Sequence, residues 1–171
     1  MAIFNNIRML LLASWLGMAI FFSAAVAPSA FRVLRTFDVP DANEIAGTIV
    51  SRTLAIVNIS GFILSLILLI TAFALKKSYG RRSFTFQIIF LLMVAITTGV
   101  GEWVIAARMR GLRAAMGLAI DHVPVDDPNR LAFAALHGYS VAALGTAIMA
   151  AALAILVMAL VPRKADRTPT R

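Results

Sequence analysis

The sequence predicts an all-α protein, an integral membrane four-helix bundle with both termini in the cytoplasm, and three observations carry that prediction. Hydrophobic residues make up 61% of the 171 and charged residues only 14%, where ordinary soluble domains are roughly 45–50% apolar and about 25% charged. Four apolar runs are each long enough to cross a bilayer, whose hydrocarbon core of roughly 30 Å needs about 20 helical residues. The cations, finally, divide unevenly between the two sets of connections that those runs define.

The runs span about 9–27, 53–75, 84–107 and 131–161. Backbone groups in lipid must be paired within the segment, and continuous runs of this kind achieve that as helices. The first run imitates a signal peptide, with Arg8 as its positive flank and "AVA" at 25–27 as a small-residue cleavage site. Its apolar stretch is longer than the roughly 7–15 residues of a usual signal core. Pro28 would also follow the cut directly, where its fixed geometry hinders a protease. Retention as the first span is the expectation.

Orientation follows from charge. One side collects nine cations, from Arg8 through the "KKSYGRR" turn to the C-terminal residues, against the single acid Asp166. The other side has seven arginines and six acids, and every lysine falls on the first side. The positive-inside rule then places both termini and the tight turn in the cytoplasm. A net charge of +8 thus reports topology and lipid headgroups, and nucleic acid is not an expected partner.

The organisation reads as one four-span domain over residues 1–162, followed by a basic disordered tail, 163–171. Neither a second soluble domain nor a repeat period is visible. Asp41 followed by Glu44 has the capping-box pattern, so the second helix should begin near Asp41. Asp127 before Pro128 reads as an N-cap with proline at the first helical position. Phe31, Leu34 and Phe37, interleaved with Arg32 and Arg35, suggest a short interfacial helix after Pro28. On the last helix Ala134, Gly138, Ala142, Thr146, Ala150 and Ala154 form a ridge of small residues, expected to pack inside the bundle.

Candidate functional residues are the polar groups inside the spans. Glu102 lies about 28 Å beyond Ser83 along its helix, close to the outer edge of the hydrocarbon. Trp103 beside it is an interfacial anchor type, and Arg108, Arg110 and Arg113 can snorkel into headgroups. His137 and Ser140 share a face of the last helix at a similar depth, and on the second helix Asn58 lies two turns below Arg52. Glu102, His137, Ser140, Asn58 and Arg52 are therefore the candidates for one outer-leaflet polar pocket, since an ionisable group within a membrane is a functional candidate by default. The competing expectation is that Glu102 and His137 pair with each other, or with an arginine, simply to fix the helices.

Catalytic and metal chemistry find little footing. The absence of cysteine excludes disulfides, thiolate metal sites and cysteine nucleophiles. His122, among the acids of "DHVPVDD", could meet a divalent ion, but such loops are mostly just solvated. A haem held by His122 and His137 would require that loop to fold back onto the bundle. The eight methionines read as core filler. With no nucleophile–base motif, phosphate loop or paired carboxylates, the expectation is a non-enzyme with no catalytic residue, no metal and no cofactor.

Three stretches carry a family likeness: "SWLGMAIFFSAAVAPSAF" (14–31), "ARMRGLR" (107–113) and "DDPNRLAFAALHGYS" (126–140). Through Trp15, Gly17, Pro28 and Phe31 at one end, and Leu136, His137, Gly138 and Ser140 at the other, the chain resembles the four-helix family of vertebrate transmembrane protein 205 and its bacterial relatives. Some relatives carry an asparagine shortly after the serine, where this chain has "VAAL". The resemblance implies a four-span bundle and a multi-pass membrane location, but no activity or catalytic residue set. The architecture is also similar to four-helix copper-resistance membrane domains, which use more histidine or methionine ligands than this chain offers.

Two functions from different classes follow as expectations. One is a membrane protein, of a bacterial inner membrane, that binds or helps move a small molecule or ion through the outer polar pocket. The other is a non-catalytic accessory or assembly subunit, with protein partners or further copies of itself beside the lipid bilayer. A haem- or copper-associated membrane protein using His137 is a third, weaker alternative.

Overall fold

The computed structural model describes residues 2–160, whose regular elements are all helices, with no strand among the described residues. Four helices are long and apolar enough to cross a membrane: Ile3–Thr36, Ala42–Ala74, Arg81–Met116 and Pro128–Leu160. The protein is an integral, multi-pass membrane protein in contact with the lipid bilayer. Helices of 33 to 36 residues are about 50 Å long at the α-helical rise, so they overshoot a hydrocarbon core of roughly 30 Å. The end of the bundle near Ala2, the Lys76–Ser78 turn and Leu160 is called proximal below, and the opposite end distal. The expected tail, 163–171, and the domain limit at 162 lie outside the described residues.

Two of the spans are interrupted by π-helix. The first consists of α1 (Ala2–Phe21), a π segment at Phe22–Val26 and α2 (Ala27–Thr36). The second is α3 (Ala42–Ala74). The third runs through α4 (Arg81–Gly99), a π segment at Val100–Ala106 and α5 (Ala107–Met116). The fourth is α6 (Pro128–Leu160). Proline inside an α-helix lacks the amide hydrogen and collides with the carbonyl four residues earlier. The widened turn just ahead of Pro28 relieves that collision, and the proline sits in the first turn of α2, where it is tolerated. The short helix expected after Pro28 is present as α2, but it continues the first span through the π segment instead of standing apart.

The first and fourth spans each turn one seam inward at alternating steps of three and four residues, as in coiled-coil packing. On the first span the buried positions are Asn5, Arg8, Leu12, Trp15, Ala19 and Phe22. On α6 they are Ser140, Leu144, Ala147, Ala151, Ala154 and Met158, with Ala150 buried beside them. The outward faces are equally apolar, Ile56, Ile70 and Ile96 being well exposed. In lipid, apolar character does not distinguish inside from outside, and small and polar residues mark the interior instead. Gly61 shows the closeness of this packing: a Cβ there would fall 2.6 Å from the Trp15 ring, whose Nε1 donates to Val57 O at 3.0 Å.

The small-residue ridge of α6 follows the expectation only in part. Ala150 and Ala154 are buried, whereas Ala134, Gly138, Ala142 and Thr146 are exposed. The reason is geometric, because a four-residue step overshoots one turn of 3.6 residues by about 40°. The ridge winds around α6 and leaves the interface within a few steps.

Helix ends are tied across the distal connections. α3 begins at Ala42 as expected, but the capping box does not form. Asp41 is left-handed, with φ 54°, and its side chain caps nothing. Asp121 takes over: its Oδ1 accepts from the Asn43 amide at 3.3 Å and side-chain nitrogen at 2.6 Å, and its Oδ2 from the Glu44 amide at 3.0 Å. Glu44 meanwhile accepts from the Ile120 amide at 3.2 Å, and Asp41 meets His122 Nε2 at 2.8 Å. The start of α6 is as the sequence predicts, with Asp127 Oδ1 accepting from the Asn129 and Arg130 amides at 2.8 and 3.0 Å. α5 stops at Gly117, whose φ of 66° places it in the left-handed conformation typical of a helix C-terminus.

Candidate functional site

The first span leaves α6 at its π segment. α1 packs against both α6 and α3, whereas α2 packs chiefly against α3, and α5 lies on α6. The distal end is thereby opened between the first and fourth spans, and polar residues gather there.

Glu102 enters this space from the π segment of the third span. The widened turn lets two consecutive residues, Gly101 and Glu102, both face inward and be buried. Glu102 Oε1 accepts from Arg110 Nη1 at 3.2 Å, the carboxylate side chain being 9% exposed and the arginine 62%. The expected partnership with His137 does not form. His137 is exposed on α6 and, among the described residues, makes no ion pair with Glu102. Of the expected pairings, the one with an arginine is present.

Arg113 frames the distal side. Its guanidinium lies 3.4 Å from Glu44, 3.4 Å from Thr48 Oγ1 and 5.3 Å from the Phe133 ring centroid. It also lies close against Gly47, where a Cβ would sit 2.6 Å from Nη2. Between these groups is a cavity of about 280 Å³, lined by Glu102, His137, Ser140, Arg52, Arg110 and Arg113 together with apolar side chains including Leu54, Met109 and Phe133. Four of the five sequence candidates thus converge. Asn58 is the exception: it is buried beneath the cavity, and a Cβ on Gly101 would lie 3.2 Å from its Nδ2. Depth along α3 was readable for Asn58, but its rotation towards Gly101 was not.

A second hollow, of about 370 Å³, adjoins the first across Phe31, Val50, Leu54, His137 and Ser140. It descends between the first span and α6, past Phe22 and Pro28 on one wall and Leu144 and Ile148 on the other. Above the cavity sits the Asp121 junction. Partial burial there acts to raise the Asp121 pKa. The bonds from the Glu44 amide and from Asn43 outweigh this and hold it below the ordinary 3.8.

A further polar cluster at the proximal end escaped the sequence reading, which counted Arg8 among the cytoplasmic surface cations. Arg8 is buried, donating from Nη1 to Tyr79 Oη at 3.1 Å and from Nη2 to Leu68 O at 3.0 Å. Tyr79 Oη donates onward to Asn5 Oδ1. Arg8 Nε and Gln87 Oε1 are buried without a hydrogen-bond partner. The signal was the spacing of Asn5 and Arg8 from Leu12 and Trp15, which places both on the buried seam.

Among the described residues no three of histidine, aspartate and glutamate come together in a metal-binding group. No hydrogen bond among the described residues joins a serine or threonine hydroxyl to a histidine or carboxylate side chain. What the distal arrangement can do chemically is bind: it offers guanidinium donors, a buried carboxylate, an imidazole and a hydroxyl above apolar walls.

Fold and cavity together define a multi-pass membrane four-helix bundle with a polar chamber at its distal end. The chain belongs to the family described as a domain of unknown function, DUF4149, whose model matches residues 10–117. That stretch includes Glu102, Arg52 and Asn58, while His137 and Ser140 lie beyond it. No curated protein and no solved structure matches the chain.

Proposed function

We propose that this protein binds, or helps move, a small molecule or ion through the distal cavity. One observation carries the reading: a cavity of about 280 Å³ that brings buried Glu102 together with Ser140, His137 and Arg52 at one level. A buried carboxylate in a membrane segment is costly to keep, and such residues mark binding sites or pathways. Orientation belongs to the same proposal. The lysines at the proximal turn and the acids at the distal connections support cytoplasmic termini and a cavity facing outward, in a bacterial inner membrane. Membership of the transmembrane protein 205 group is supported by the three stretches quoted above, and by the burial of Trp15 and Ser140 in the bundle.

The test is native mass spectrometry of the full chain released gently from its membrane. A discrete non-protein mass, lost on Glu102→Gln or His137→Ala in a protein that still unfolds cooperatively, is the expected result. A bare chain under every extraction condition would overturn the binding reading.

A second reading, an accessory subunit or homo-oligomer, is favoured by the exposed half of the α6 ridge, Ala134 to Thr146. Small residues on a lipid-facing surface let another helix approach closely. The same spectra separate the two, since co-released polypeptide or multiples of the chain mass would favour the subunit.

A further inference from the structure

The cavity and the hollow below it adjoin across five shared wall residues and differ in chemistry. We infer that together they hold a phospholipid with an anionic headgroup, taken from the leaflet at the distal end, with one acyl chain lying in the lower hollow. The inference rests on the binding reading above and names its ligand class.

Charge is the first argument. Three arginines line the cavity, Arg52, Arg110 and Arg113, and Glu102 is the one acid among the described lining residues. Glu102 engages Arg110, and Glu44 engages Arg113. Arg52 has no hydrogen bond or ion pair among the described residues, and it lies about 33 Å from the proximal end of α3 at the helical rise. That is close to the far boundary of a hydrocarbon core of roughly 30 Å, the level of phosphate headgroups. A planar guanidinium there presents paired donors that suit phosphate oxygens.

Shape is the second argument. From His137 to Ile148 the lower hollow follows α6 for about 16 Å, close to half of the roughly 30 Å core and so the depth of one leaflet. Phe22, Leu54, Leu144 and Ile148 give it apolar walls. Ser23 and Pro28 on one lip, and Val141 and Gly145 on the other, are exposed, so the hollow opens sideways towards the bilayer. The opening is a consequence of the first span leaving α6 at the Phe22–Val26 π segment. A free anion would answer Arg52 and make no use of the apolar hollow. An uncharged lipid would fill the hollow and leave Arg52 unanswered. An anionic phospholipid uses both.

The experiment reconstitutes the full chain in vesicles of equal phosphatidylglycerol and phosphatidylcholine, re-extracts it gently and weighs the retained lipid by native mass spectrometry. Phosphatidylglycerol should be retained preferentially. Arg52→Gln should reduce that preference by roughly tenfold, the order of one charge-assisted hydrogen bond. Gly145→Leu, placed where an added Cβ has no neighbour within 4 Å, should reduce retention of both lipids by filling the hollow. Thermal unfolding in detergent verifies that both variants fold. Equal retention of the two lipids, unchanged by Arg52→Gln, would overturn the inference as ordinary annular contact. In a second arm, glycerol phosphate is titrated into lipid-free protein. Binding as tight as that of the phospholipid, and insensitive to Gly145→Leu, would also overturn it while leaving the cavity a binding site. Retention of neither lipid and no binding of glycerol phosphate, in folded protein, would overturn the inference, while the binding reading stands or falls on the spectra of the chain released from its own membrane.

Discussion

Glu102 and Arg110 meet at 3.2 Å across the junction between the second π segment and α5, eight residues apart in the chain. The pair is lopsided, because the carboxylate is buried and the guanidinium is mostly solvated. Removing one partner therefore does not equal removing the other. Arg110→Ala leaves a buried carboxylate without its cation and should cost about 1–3 kcal/mol, below the roughly 3–5 of a fully buried pair. Glu102→Gln leaves only a solvated arginine, so its cost should stay within about 1 kcal/mol. The double change should be less harmful than the two singles added. His137→Ala, by contrast, should combine additively with Glu102→Gln to within about 0.5 kcal/mol, as independent sites do. Thermal unfolding of the five variants and the wild type in one detergent checks the pattern, and strong coupling between residues 102 and 137 would contradict the geometry.

Asp121 provides a pH test. It caps α3 from the opposite connection, and its pKa is held below 3.8 in the folded protein. A depressed folded pKa contributes stability that is present above the unfolded value and lost as pH falls through the folded one. At neutral pH, Asp121→Ala should therefore cost about 1–2 kcal/mol, the scale of a lost helix cap. The gap between wild type and variant should hold down to about pH 4 and close below it. A gap that widened on acidification would show the sign to be wrong.

Depth was legible in the sequence and rotation was not. Helical rise converts a residue number into a level in the membrane, which is how Glu102, His137, Ser140 and Arg52 were brought to one end. Rotation about the axis is normally read from an apolar stripe, but these helices are apolar on all sides, so which arginine would meet Glu102, and Gly101 as the neighbour of Asn58, went unseen. The π segments left no composition signal beyond Pro28. Asp121 reaches Asn43 across 78 residues, a distance at which local capping rules are silent. The burial of Arg8 was missed because a cation near an apolar run usually marks a boundary, whereas here it also follows the register of Leu12 and Trp15 into the core.

Gly61 and Gly138 should respond oppositely to the same substitution. A Cβ on Gly61 meets the Trp15 ring at 2.6 Å, and one on Gly138 meets nothing within 4 Å. Gly61→Ala must push aside a buried indole that is hydrogen-bonded to α3, and overpacking of this kind costs about 1–3 kcal/mol. Gly138→Ala should be neutral or stabilising by up to about 1 kcal/mol through helix propensity. Thermal unfolding of both variants decides it. Destabilisation by Gly138→Ala accompanied by loss of a higher mass in native spectra would instead point to a partner helix on that face.

The Arg8 cluster yields the most discriminating comparison. Tyr79 Oη and Leu68 O accept from its guanidinium, and no acid neutralises it among the described residues. Tyr79→Phe removes the acceptor for Nη1 and leaves a buried cation short of a partner, at a cost of about 1.5–3 kcal/mol for a hydrogen bond to a charged group. Arg8→Met removes the charge itself and keeps much of the side-chain volume. Replacing buried charge with packed apolar volume is often neutral or stabilising, and Tyr79 would retain its bond to Asn5. Arg8→Met should thus unfold at or above the wild-type temperature, Tyr79→Phe clearly below it, and Tyr79→Phe should lose most of its penalty in the Arg8→Met background. If Arg8→Met is the more damaging change, the guanidinium stabilises the proximal end more than those two acceptors account for, and its buried Nε beside the seam becomes the place to look for the missing partner.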